Sequence, residues 1–149
     1  MTLAAETSTE LTGRERLEAL MESPRRPGIV DTLDFNLVEV EDGRVVFEGA
    51  PSRKVYNPIE TVHGGYAATM LDSACGCAVQ SKLTGRQGYT TLELKVAYHK
   101  GMTDKTGPVR AEGRVITIGR RAAFAEATLK GLDGRLYASA TSTLLVFER

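Results

Sequence analysis

The chain has 149 residues, a length that fits one domain built around one hydrophobic core. Hydrophobic residues make up 42% of it and charged residues 26%, and the formal net charge is zero. This balance provides no long-range field that would recruit nucleic acid or an anionic membrane, so we expect neither as a partner. The first residues lack the basic and apolar pattern of a secretory signal, and no apolar run reaches about 18 residues, so we expect a cytoplasmic protein.

The first part of the chain predicts one short helix and one hairpin. Residues 1–11 are small and polar, and we expect a frayed end. A helix is predicted over 12–23, with Thr12 as its cap and Glu15 completing a capping box. From Leu33 to Glu48 the hydrophobic period changes to two, which predicts two strands joined by the turn at 41–43. The phase shifts by one residue after Leu37, which indicates a β-bulge there.

A second helix is predicted from Gly64 to about Leu83, after a loop over 51–61. Apolar or small residues occur on nearly every face of this segment, so we expect it to be buried all round. Its two cysteines, Cys75 and Cys77, are too close for an ordinary disulfide and have no histidine cluster beside them. They predict reduced, buried thiols and no metal site.

Strand patterns fill the rest of the chain, and Asp133-Gly134 is a strong hairpin turn. Together the elements predict a single α+β domain over 1–149. In it an antiparallel sheet of five or six strands wraps around the long helix, with an extra helix at the N-terminus. The predicted strands are Thr90–His99, with Leu92, Leu94, Val96 and Tyr98 on one face, Val109–Ile118, Ala122–Leu132 and Arg135–Phe147.

Asp72 is the only charged residue between Thr61 and Ser81. A lone carboxylate in a buried helix is costly unless it is paired or used. It is either a structural acid bonded to a neighbouring hydroxyl or amide, or a base or nucleophile with a perturbed pKa. His63 and Gly64 stand where this helix begins, and the free amide of Gly64 is suited to hold a developing oxyanion. Equally, the glycines permit a tight entry turn and His63 is a cap or core residue.

The spacing between His63 and Asp72 predicts a dimer. Nine residues of helix make about two and a half turns and rise about 13 Å, so the two side chains point to opposite faces. If they cooperate, Asp72 of one chain meets His63 and Gly64 of a second chain. A two-fold dimer provides this arrangement and creates two equivalent sites.

The spacing also carries a resemblance to a known family. Asn57 lies six residues before His63, Gly64 and Gly65 follow the histidine, and Asp72 lies nine residues after it. This pattern resembles the active site of hotdog-fold acyl-CoA thioesterases, most closely the phenylacetate-pathway and 4-hydroxybenzoyl-CoA thioesterase branch. The resemblance extends from about residue 28 to 147, and includes the strand 91–98 and the turn at 119–120. It implies a hotdog fold and hydrolysis of an acyl-CoA. It also implies no cofactor beyond the coenzyme A of the substrate, and a homotetramer built as a dimer of dimers.

The resemblance also implies roles for the site residues. Asp72 would attack the thioester carbonyl or activate water, the Gly64 amide would polarise the carbonyl, and His63 and Asn57 would place the thioester, loop or water. A hydroxyl that positions the water in some relatives matches Thr91, which by simple alternation lies on the face opposite Leu92 and Leu94. Thr90 shares their face, and a slip of one residue would exchange the two threonines. Some relatives carry another hydroxyl one turn after the acid, where this chain has Gly76 and no such role can be assigned.

The substrate contacts are open to two interpretations. Arg120 and Arg121 follow Gly119 at a strand break, where they would hold the phosphates of coenzyme A or are two solvated surface arginines. Tyr66, with Met70 and Phe124, could shape an acyl pocket, although core packing explains these residues equally well. Aryl, phenylacetyl and medium-chain acyl groups all fit the sequence. The expected substrate-binding residues are Gly65, Tyr66, Ser73, Thr90, Arg120 and Arg121.

Two other functions remain possible from the sequence. A hotdog hydratase or dehydratase also uses a histidine and a carboxylate, in a different arrangement from this one. A non-catalytic module that binds acyl-CoA would share the fold without the chemistry.

Overall fold

The computed structural model describes residues 10–149, so most of the predicted frayed end lies outside the described residues. The first helix, α1, runs over Gly13–Glu22, and its capping box is confirmed. The Glu15 amide donates to the Thr12 hydroxyl at 3.2 Å, and the Thr12 amide donates to the Glu15 carboxylate at 3.1 Å. Leu17, buried in the core, packs this helix against the rest of the domain.

The hairpin follows a helix that the sequence pattern did not predict. This helix, α2, spans Gly28–Leu33 directly after Pro27, so the predicted start of the strand at Leu33 is wrong. Strands β1 and β2 cover Phe35–Glu41 and Arg44–Gly49. Their register shifts between Leu37 and Glu39, which confirms the predicted bulge.

The remaining elements complete one antiparallel sheet of six strands, as predicted, in the order β1-β2-β4-β5-β6-β3. A short 3₁₀ turn, Arg53–Val55, lies in the loop before the long helix. The bounds of the other elements are α3 Gly64–Gln80, β3 Gln87–Tyr98, β4 Val109–Ile118, β5 Ala122–Gly131 and β6 Leu136–Glu148.

Helix α3 lies on the inner face of this sheet and contacts five of its strands. Gly113 in β4 makes the close approach possible, because a β-carbon there would collide with the carbonyl of Ala74 on α3. The face of α3 toward the sheet is buried, as predicted. The prediction is wrong for the opposite face, where Gly65 is exposed and Thr69 and Asp72 are only half-buried, because the sheet of one chain covers only one side of the helix.

Strand β3 forms one edge of the sheet and, among residues 10–149, pairs only with β6. A bulge at Leu92 shifts its register, so Thr91 and Leu94 both lie on the inner face, paired with Leu144 and Ser142. The prediction that Thr91 and Leu94 lie on opposite faces is therefore wrong. Leu92 is the bulged residue and is 60% exposed.

No helix within the described residues has both the length and the apolar character needed to cross a membrane.

Candidate active site

Asp72 lies in the third turn of α3, on the half-buried face that the sheet leaves open. The hydroxyl of Thr91, on the inner face of β3, donates a hydrogen bond of 3.0 Å to its Oδ1. Within the described residues Thr91 is the one hydrogen-bond partner of this carboxylate. One oxygen is therefore fixed by β3, and the other is free to act on a substrate or a water molecule.

His63 is the N-cap of α3 and fixes the geometry of the helix start. Its backbone is extended, with φ −61° and ψ 135°, and its Nδ1 accepts a hydrogen bond of 2.7 Å from the Gly65 amide. Because Nδ1 is the acceptor, a neutral His63 carries its proton on Nε2. The ring is exposed, so Nε2–H is available to a ligand.

The Gly64 amide is the first of the helix and donates to no acceptor within residues 10–149. It lies at the positive end of the helix dipole, which favours a negative charge nearby. Its carbonyl accepts a hydrogen bond of 2.8 Å from the Tyr98 hydroxyl. Both histidines, His63 and His99, line a cleft of about 320 Å³ beside this glycine, together with Lys100.

Asn57 supports the loop that leads into the helix. Its Oδ1 accepts from the amides of Ile59 and Thr61 at 3.1 and 3.0 Å, and its Nδ2 donates to the Thr61 hydroxyl at 2.9 Å. The loop ends with the His63 amide donating to the Val55 carbonyl at 2.8 Å. The contacts of Asn57 therefore fix the backbone in front of His63.

The structure does not bring His63 and Asp72 of one chain together. They lie at the cap and in the third turn of the same helix, about 13 Å apart along its axis and on opposite sides. Each chain thus carries two candidate half-sites, one with a carboxylate and a hydroxyl, the other with a free amide and an imidazole.

Comparison with known proteins identifies the family of the chain. Residues 60–138, which include His63, Gly64, Asp72 and Thr91, match the family model of the thioesterase superfamily. The chain belongs to the thioesterase superfamily. It is a thioester hydrolase with the predicted hotdog fold.

Solved structures with the same fold agree with this assignment. A thioesterase family protein from Silicibacter pomeroyi is 28% identical, with a TM-score of 0.76 over 83% of this chain and 92% of that one. A phenylacetic acid degradation-related protein from Ralstonia eutropha is 25% identical, with a TM-score of 0.75 over 86% and 96%. A Streptococcus mutans protein solved with bound acetyl CoA is 26% identical, with a TM-score of 0.70 over 77% and 90%.

The structure places the expected substrate-binding residues of this thioesterase in several different environments. Ser73 follows Asp72 on α3 and is half-buried, and Gly65 is exposed at the helix start. Thr90 is exposed and pairs with Leu145 on the outer face of the sheet, away from Asp72. Tyr66 lies in the core near Gly49, where burial raises the pKa of its hydroxyl to about 12.

The two remaining expected contacts, both arginines, are exposed. Arg120 and Arg121 lie in the turn between β4 and β5, and no ion pair engages their guanidinium groups within residues 10–149. Phe124 lies on the outer face, 43% exposed, whereas Met70 is buried in the core. The arginines are therefore accessible to an anionic ligand, and neither apolar residue faces the Asp72 side of α3.

Sequence reasoning missed one residue beside the carboxylate of this thioesterase, Tyr89. It lies two residues before Thr91 on the inner face of β3, and its ring covers Gly76, one turn after Asp72. Burial raises the pKa of the Tyr89 hydroxyl, and burial also raises the pKa of the neighbouring Cys77 thiol to about 12. The period of two from Thr91 would have placed Tyr89 on the same face.

Proposed function

We propose that this thioesterase hydrolyses acyl-CoA thioesters, with Asp72 acting on the thioester carbonyl. The observation that carries the proposal is the position of Asp72. The hydroxyl of Thr91 fixes one of its oxygens on a face of α3 that its own chain leaves half-covered. A carboxylate held in this way is oriented for general-base or nucleophilic chemistry.

The chemistry follows from the two half-sites. Asp72 removes a proton from a water molecule that attacks the carbonyl, or attacks the carbonyl itself to form an anhydride that water then hydrolyses. In both routes the carbonyl oxygen becomes negatively charged, and the free Gly64 amide at the start of α3 stabilises that charge. The thiolate of coenzyme A leaves and takes up a proton, and His63, which lines the same cleft as Gly64, orients the thioester.

Two copies of the chain form the complete site in this proposal. Asp72 and Gly64 of one chain are too far apart to act on one carbonyl, whereas a two-fold axis would bring each carboxylate to the amide of the other chain. The exposed edge of β3, twelve residues long, supports pairing of the two copies, because an unpaired strand edge is a template for another strand. Two such dimers would form the expected homotetramer.

Coenzyme A would bind through exposed cationic groups of the chain. The acetyl CoA bound to the Streptococcus mutans relative supports a ligand of this class. The exposed guanidinium groups of Arg120 and Arg121, at the end of the sheet near Thr90, are suited to bind phosphates. Lys100 lines the cleft beside Gly64, at the other end of β3. Asn57 then acts as a positioning residue, because its side chain supports the loop before His63.

Thiol release from a panel of acyl-CoAs tests the proposal. Asp72→Asn, a near-isosteric change, should lower kcat by about a hundredfold or more while leaving the Tm unchanged. Glu93→Gln is the matched control, because this exposed acid lies on the outer face of β3 and should keep wild-type rates. Full activity of Asp72→Asn, or no turnover of any thioester by the wild type, would contradict the proposal.

A further inference from the structure

The two glycines at the start of α3 each have an aromatic ring packed on them. A β-carbon at position 65 would lie 2.9 Å from Nδ1 of His63. A β-carbon at position 64 would lie 2.9 Å from both Cζ and the hydroxyl oxygen of Tyr98. Contacts this short leave no room for a side chain unless the ring moves away. Glycine at both positions therefore admits the two rings to the helix start.

One peptide group, which joins Gly64 to Gly65, is held at both ends. The Tyr98 hydroxyl donates a hydrogen bond of 2.8 Å to its carbonyl oxygen, and its N–H donates a hydrogen bond of 2.7 Å to Nδ1 of His63. The peptide group before it is held by its own carbonyl, that of His63, which accepts a hydrogen bond of 3.0 Å from the Tyr66 amide. The backbone on both sides of Gly64 is therefore fixed, and with it the direction of the free Gly64 N–H.

Two glycines in succession make a helix start that is costly to order. Glycine loses more conformational freedom on folding than any other residue, because it lacks the β-carbon that restricts the backbone elsewhere. An amide that stabilises a developing oxyanion is most effective when its direction is set before the reaction. The contacts of Tyr98 and His63 with this segment therefore supply an order that the glycines themselves lack.

Tyr98 is attached to a well-anchored part of the sheet. It is the last residue of β3 and pairs with Ala138 on β6. The amides of the next two residues, His99 and Lys100, both donate to the Tyr137 carbonyl, at 2.8 and 3.1 Å. The sheet thus presents the Tyr98 hydroxyl to the helix start from a fixed backbone.

We propose that Tyr98 is a positioning residue for the oxyanion-binding amide. Its hydroxyl fixes the peptide group that follows Gly64, and so aims the Gly64 N–H at the thioester carbonyl. The proposal rests on the proposed function, since it assumes that a carbonyl bound by Gly64 of one chain reacts with Asp72 of the other. Tyr98 acts through Gly64 of its own chain and takes no part in proton transfer.

The test compares Tyr98→Phe with the wild type on the best acyl-CoA of the panel. The substitution keeps the ring that packs on Gly64 and removes the donor of the 2.8 Å hydrogen bond. Because one hydrogen bond is lost, kcat should fall by about three- to tenfold, with an unchanged Tm and a KM within about twofold of the wild-type value. Tyr137→Phe is the matched control and should keep the wild-type kcat. The Tyr137 ring packs beside Gly131, and its hydroxyl has no hydrogen-bond partner within residues 10–149.

Hydrogen exchange of the Gly65 amide, measured by NMR, is a second readout that reports on the peptide group itself. This N–H belongs to the same peptide group as the carbonyl that Tyr98 holds. It should exchange about threefold faster or more in Tyr98→Phe, while the amides of β6 keep their wild-type rates. A wild-type exchange rate at Gly65 in Tyr98→Phe would show that His63 alone holds the peptide group, and would overturn the proposal.

The kinetic outcomes also decide the proposal. An unchanged kcat in Tyr98→Phe overturns it, and so does a rise in KM alone, since Tyr98 lines the cleft beside Gly64 and would then be a binding contact. A loss of kcat that Tyr137→Phe shares, or that comes with a fall in Tm of several degrees, overturns it as well, because the hydroxyl would then serve the fold. In all of these cases the thioesterase function stands. If the wild type cleaves no acyl-CoA, it is the proposed function that fails.

Discussion

Replacing Thr91 by valine tests whether the hydroxyl beside Asp72 matters for catalysis. The change preserves the shape of the side chain and removes the donor of the 3.0 Å hydrogen bond to Oδ1. A hydrogen bond to a charged group contributes about 1.5–3 kcal/mol, and about 1.4 kcal/mol corresponds to a tenfold change in rate. If the bond orients the carboxylate in the transition state, kcat/KM should fall by about 10- to 150-fold.

The assay is thiol release from the best acyl-CoA of the panel, with the Tm of each variant measured in parallel. Thr91→Ser keeps the hydroxyl and should retain most of the activity. Thr90→Val is the matched control, because Thr90 is adjacent in sequence but exposed on the outer face of the sheet. The reasoning is refuted if Thr91→Val keeps wild-type kcat/KM, or if Thr90→Val loses as much activity as Thr91→Val.

Two further predictions concern packing and thiol chemistry. Gly113→Ala should lower the stability by about 3 kcal/mol and the Tm by about 6–12 °C, because the added carbon meets the Ala74 carbonyl. Gly101→Ala, with open space around it, should leave the Tm unchanged, and equal Tm values would contradict this account. Burial raises the pKa of Cys75 and Cys77 to about 12, so iodoacetamide at pH 8 should label the folded chain at least about a hundredfold more slowly than the urea-unfolded chain. Equal labelling rates would show that the thiols are not desolvated.

The helix start and its cap could be predicted because their signals are local. His63 and the glycines after it mark the beginning of α3, and Thr12 with Glu15 marks the beginning of α1. In both cases a few neighbouring residues contain all the hydrogen-bonding partners. Asp72 also stands out in the sequence, because it is the only charged residue in a segment that is otherwise apolar or small.

The surroundings of Asp72 could not be predicted in the same way, because they depend on strand pairing. Simple alternation along β3 places Thr91 and Leu94 on opposite faces of the sheet. The pairing with β6 shows a bulge at Leu92, which puts both residues on the inner face. Tyr89 was missed for a related reason, since its contact with Gly76 depends on how α3 lies against β3. Helix α2 is six residues long, too short to show a periodic pattern.

A mixture of two inactive variants tests the central claim, that each site takes Asp72 from one chain and the Gly64 amide from another. Gly64→Pro removes the amide hydrogen at a helix position that accepts proline, and Gly64→Ala is its control, since it adds a β-carbon but keeps the hydrogen. When Asp72→Asn and Gly64→Pro chains are unfolded together and refolded, half of the dimers are mixed, and each mixed dimer has one intact site. Activity should therefore return to about a quarter of the wild-type value. No recovery in demonstrably mixed dimers would show that each site lies within a single chain.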